Sequence, residues 1–112
     1  MTKEEAIAKY SKMRGEYYLV EVYLSYSGLL TNDGFEPAWV WGVYKGKQSA
    51  YRQYKAQCKA AKDAAKDGIF TEGTHGVAFE TFKHSVPVHH VFQFIDAWNG
   101  LLCRFRVHVQ KI

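Results

Sequence analysis

The chain has 112 residues, 47% of them hydrophobic and 16% aromatic, which excludes disorder and predicts one domain, residues 1–112, with a modest core. Fifteen Lys and Arg against eleven Asp and Glu give a formal charge of +4 and a pI near 9.1, too mild an excess to define a partner by itself. No apolar run approaches the ~18 residues of a membrane span, and the acids of MTKEEAIAKY stand where a secretory signal has a basic and then an apolar region, so a cytoplasmic protein is expected.

The first predicted element is a short helix. Thr2 and Glu5 have the spacing of a capping box, Ile7, Tyr10 and Met13 share a face, and Gly15 is placed to end it. Residues 17–26 then alternate as a strand, with Tyr18, Val20, Val22, Leu24 and Tyr26 on one side and Tyr17, Leu19, Glu21, Tyr23 and Ser25 on the other. Gly28, Asn32-Asp33-Gly34 and Pro37 break this pattern into a loop that also carries Leu29, Leu30 and Phe35. A second strand is expected over 38–45.

The segment 48–67 sorts into three helical faces. Tyr51, Tyr54, Cys58, Ala61 and Ala65 form an apolar stripe, and Arg52, Lys55, Lys59, Lys62 and Lys66 repeat it one residue later as a basic ridge. Gly68 suits the stop. A third strand is predicted over 77–84, between Gly76 and Pro87. The end of the chain reads as a hairpin with Asn99-Gly100 at its tip. That register sets Phe94 opposite Phe105, Phe92 opposite Val107, Asp96 opposite Cys103 and His90 opposite Val109. Its other face carries His89, Val91, Gln93 and Ile95 with Arg104, Arg106, His108 and Gln110.

The expected fold is α+β: a largely antiparallel sheet of about five strands, in the order helix-strand-strand-helix-strand-strand-strand, with the long helix across one face. Its predicted core is Val20, Val22, Leu24, Tyr51, Tyr54, Cys58, Ala61, Phe92, Phe94, Cys103, Phe105 and Val107. Cys58 and Cys103 fall on core positions and read as reduced thiols, not a bridge. The five histidines show no zinc-ligand spacing, so no metal or cofactor is expected.

Function is read from charge density. Seven of the fifteen cations lie between Lys45 and Lys66, where Asp63 is the sole acid, so no Glu-to-Lys pairs compensate the ridge. The leading expectation is a non-enzymatic module that binds nucleic acid, or a nucleic-acid-bound complex, through Arg52, Lys55, Lys59, Lys62 and Lys66, with Arg104 and Arg106 as secondary contacts. One alternative is an inhibitor or adaptor that docks on an anionic protein surface through Leu29, Leu30 and Phe35. Another is a small enzyme, with a site between subunits of a homo-oligomer, in which the arginines hold an anionic metabolite and His89 or His108 moves a proton. That version needs a carboxylate, and Glu21 serves only where the first strand neighbours the last.

Overall fold

The computed structural model describes residues 1–26, 40–66, 68–73, 75–95 and 102–112, with residues 24–26, 40 and 70–72 as backbone alone. The elements are α1 (Lys3–Tyr10), β1 (Tyr17–Tyr26), β2 (Val40–Lys45), α2 (Lys47–Ala64), β3 (Ile69–Glu72), α3 (Phe79–Ser85), β4 (Val88–Ile95) and β5 (Leu102–Lys111). The strands lie in the order β2-β1-β5-β4-β3, and each neighbouring pair is antiparallel. The α+β class is therefore as expected, with a different order of elements.

Period-two alternation divides the sheet into two faces. One presents Tyr18, Val20, Val22, Val88, Phe92, Phe94, Cys103, Phe105, Val107 and Val109 to α2, whose Ala50, Tyr54, Cys58 and Ala61, with Ala65 just past its end, complete the core. Tyr51 is half-buried at its margin. Both cysteines are buried, and no disulfide joins them. The other face buries Tyr17, Leu19 and Glu21, where α1 contributes Ala6, Lys3 and Tyr10. In α1 the Glu5 N–H donates to Thr2 Oγ1 at 3.1 Å, the capping contact expected. This helix ends at Tyr10, five residues before Gly15.

Three expectations are corrected. The segment 77–84 is not a strand: it holds α3, because Phe79 and Phe82 are three residues apart and turn together onto Tyr51. Glu80 and Lys83 add an i,i+3 ion pair at 2.9 Å. The third strand lies earlier, at Ile69–Glu72, paired with β4. In the terminal hairpin Phe92 faces Phe105 and Phe94 faces Cys103, two residues out of the expected register, with Ile95 opposite Leu102. Asp96 and the Asn99-Gly100 tip lie outside the described residues, as do Leu29, Leu30, Phe35 and the side chain of Leu24. Finally, α2 stops at Ala64 and not Asp67, which leaves Lys66 in the turn beyond it.

Two glycines set the frame around α2. Gly46, at φ +84, starts the helix, and its carbonyl accepts from the Ala50 N–H at 3.1 Å. Gly73, at φ +69, follows β3, and a Cβ there would collide with the Val91 carbonyl oxygen. Gly73→Ala is expected to cost about 1–3 kcal/mol of stability through that collision and the left-handed backbone. A urea midpoint equal to the wild type would show that the turn does not need its glycine.

Candidate functional site

Helical spacing turns the apolar stripe of α2 into the sheet and leaves its basic neighbours outside. Arg52, Lys55, Lys59 and Lys62 are all exposed, and no ion pair among the described residues engages them. From Arg52 to Lys62 the helix advances about 15 Å. One strand of a duplex advances about four nucleotides over that length, at about 3.4 Å each. The first turn of α2 holds no acid, so its positive dipole end adds to the same sign of charge.

The four cations also border a cavity of about 440 Å³. Its apolar lining is the exposed Ala56 with Cys58 and Phe92 buried behind it, and His75 with Gly76, on the chain between β3 and α3, makes the facing wall. That wall is pinned to α2 by two hydrogen bonds. The Tyr51 hydroxyl donates to the Val77 carbonyl at 3.2 Å, and the Val77 N–H donates to the Tyr54 hydroxyl oxygen at 3.1 Å. Gly76 sits so close that a Cβ would lie 3.1 Å from Cys58 Sγ. Burial pushes the Cys58 thiol up to about 11, against the Tyr54 hydrogen bond and the charge of Lys55, which favours the neutral thiol of a packing group.

Of the seven predicted cations, the structure gathers four around this cavity. Lys66, exposed in the turn past α2, is not among the lining residues. Arg104 and Arg106 belong to the opposite face of the sheet. Sequence reasoning placed Cys58 and Phe92 in the core and singled out neither His75 nor Gly76 as a site residue. Nothing in their spacing announces a shared cavity, because β4 and the chain before α3 reach α2 only through the fold.

The opposite face holds a second polar group of residues. Strand pairing aligns Trp41, Glu21, His108 and His89 in one row across four strands, so the required adjacency of first and last strands is met. Glu21 is fully buried. Lys3 Nζ donates to its Oε2 at 2.7 Å, the Tyr23 hydroxyl donates to the same oxygen, and His108 Nδ1 lies 3.3 Å from Oε1. The His108 ring stacks on His89 with centroids 4.2 Å apart. Arg106 lies over the Tyr23 ring, and Arg104 Nε donates to Gln93 Oε1 at 2.7 Å. Both arginines are thus engaged in the sheet's own packing.

Burial by itself pushes the Glu21 pKa up, but the Lys3 ammonium and the Tyr23 hydroxyl hold it below the ordinary value of 4.5. Burial, then the neighbouring His89, keeps His108 below the ordinary 6.5 despite Glu21. Each depressed group contributes stability that is complete above its unfolded pKa and is lost as pH falls through its folded pKa. Stability should therefore begin to fall below pH 6.5 through His108, and fall again below pH 4.5 through Glu21. Urea midpoints measured across that range check this, with the upper part of the decline absent in His108→Gln. A wild-type midpoint that stays level down to pH 4 contradicts it.

Among the described residues no three His, Cys, Asp or Glu side chains converge as metal ligands, and no helix is long and apolar enough to cross a membrane. Comparison of the chain with protein-family models, with curated proteins and with solved structures gave no match.

Proposed function

We propose that the protein is a small binding module that holds nucleic acid through phosphate contacts on the α2 ridge. One observation carries this reading: four exposed cations of one helix, without ion-pair partners among the described residues, border a preformed concave surface. Salt-bridged surface lysines do little beyond solvating a helix, whereas an uncompensated row releases counterions when it meets a phosphate backbone. Fluorescence anisotropy with labelled single- and double-stranded DNA and RNA tests it. Binding at low salt that weakens steeply towards physiological salt is expected, and no binding at low salt ends the reading.

The opposite face supports a second reading, an enzyme acting on a small anion, on the strength of the 3.3 Å approach of Glu21 to His108. It is the weaker one. Glu21 is already neutralised by Lys3, and the His108 side chain is only 15% exposed. Turnover lost in His108→Gln but kept in a ridge variant would favour it. The adaptor reading rests on Leu29, Leu30 and Phe35, so its test is recovery of one stoichiometric protein after nuclease treatment.

A further inference from the structure

We infer that the cavity beside α2 accepts a single nucleotide, its base on the apolar floor and its phosphate on the rim cations. This deepens the ridge reading and rests on it. A row of lysines alone needs no cavity to hold phosphates. Here, however, the row opens onto about 440 Å³ of space, within the roughly 300–1,000 Å³ range of small-molecule sites.

The distribution of chemistry around that space is one-sided. Arg52, Lys55, Lys59 and Lys62 stand along one edge, where an anionic group is neutralised. Ala56, exposed over the buried Cys58 and Phe92, gives the floor apolar surface and no charge, so an inorganic anion would leave it unfilled. The exposed His75 adds a flat ring on the opposite wall, on which a base can stack. A group with a charged end and a planar, weakly polar body satisfies all three parts, and a nucleotide is that group. The site is also built before any ligand arrives, because Val77 is tied to Tyr51 and Tyr54 and Gly76 abuts Cys58. Preorganisation of this kind reduces the ordering cost of binding.

The experiment titrates the full chain with adenosine 5′-monophosphate, adenosine and inorganic phosphate by calorimetry, and with a labelled single-stranded oligonucleotide by anisotropy. Adenosine 5′-monophosphate is expected to bind more tightly than either of its parts. Ala56→Trp changes an exposed helix position and fills the cavity; it should abolish mononucleotide binding and weaken the oligonucleotide about tenfold, the loss of one stacked base. Phosphate binding as tightly as the mononucleotide overturns the proposal on the wild-type protein alone, and so does an Ala56→Trp variant that binds the mononucleotide unchanged. Salt-dependent oligonucleotide binding without mononucleotide binding removes the cavity proposal and leaves the ridge reading. Oligonucleotide affinity that ignores salt removes both.

Discussion

A variant carrying Arg52→Glu, Lys55→Glu, Lys59→Glu and Lys62→Glu is expected to bind nucleic acid at least about a hundredfold more weakly than the wild type at low salt. The estimate follows from the number of contacts. Four phosphates neutralised at a slope of about 0.7–0.9 each make the wild type lose roughly a hundredfold between 50 and 200 mM salt. Reversing the four charges removes that release and adds repulsion. The fold should tolerate the change, because all four side chains are exposed and the apolar stripe is untouched. The largest structural penalty expected is at Lys62, in the last turn of α2, where a carboxylate opposes the helix dipole by about 0.3–1 kcal/mol. Lys9, Lys12, Arg14 and Lys45 are also exposed and lie outside the ridge. Reversing these four gives the same net charge and should leave most of the binding. Equal loss in both variants would mean that net charge, and not the ridge, attracts the nucleic acid.

Phe82→Ala is expected to cost about 3–5 kcal/mol, the range for removing a buried aromatic ring. Phe82 is fully buried, with its ring 5.2 Å from both Tyr51 and Tyr54. It anchors α3 to α2, so its loss opens a hole between the two helices and loosens the wall that bears His75 and Gly76. A domain of this size is stable by only about 5–15 kcal/mol, so the variant forfeits a large share of the total. Urea denaturation gives the difference directly. Phe79→Ala is the useful comparison, because Phe79 is only half-buried and its removal should cost less. If Phe82→Ala unfolds at the wild-type midpoint, α3 is not held by this contact.

Where periodicity was long and clean, the sequence was readable. Alternation over ten residues marks β1, and the 3.6-residue repeat of Tyr54, Cys58, Ala61 and Ala65 marks α2 and its buried face. The hairpin is more instructive. Its register between Val88 and Val109 differs by two residues from the one that an Asn99-Gly100 tip predicts. Since side chains alternate every second residue, a shift of two leaves Phe92, Phe94, Cys103 and Phe105 on the core face all the same. The error changed partners without changing sides.

The segment 77–84 failed for a different reason. Val77, Phe79 and Thr81 fit a strand as well as Phe79 and Phe82 fit a helix, and seven residues are too few for periodicity to decide. Contact with Tyr51 and Tyr54 decides it, and those lie some thirty residues earlier. The candidate site divides the same way. The ridge was legible because its cations sit on one helix. The cavity was not, because His75, Gly76 and Phe92 join it only through tertiary packing. Lys66 lies past the end of α2 and does not line the cavity.

The most direct test of the ridge as the binding surface is a backbone amide chemical-shift map recorded while a short single-stranded oligonucleotide is titrated into labelled protein. Shifts should cluster on α2 from Arg52 to Lys62 and on the facing segment from His75 to Ala78. The β5 amides of Arg104, Arg106 and His108 should stay where they are. Shifts centred on those β5 residues, with α2 unmoved, would contradict the account and transfer the binding surface to the opposite face of the sheet.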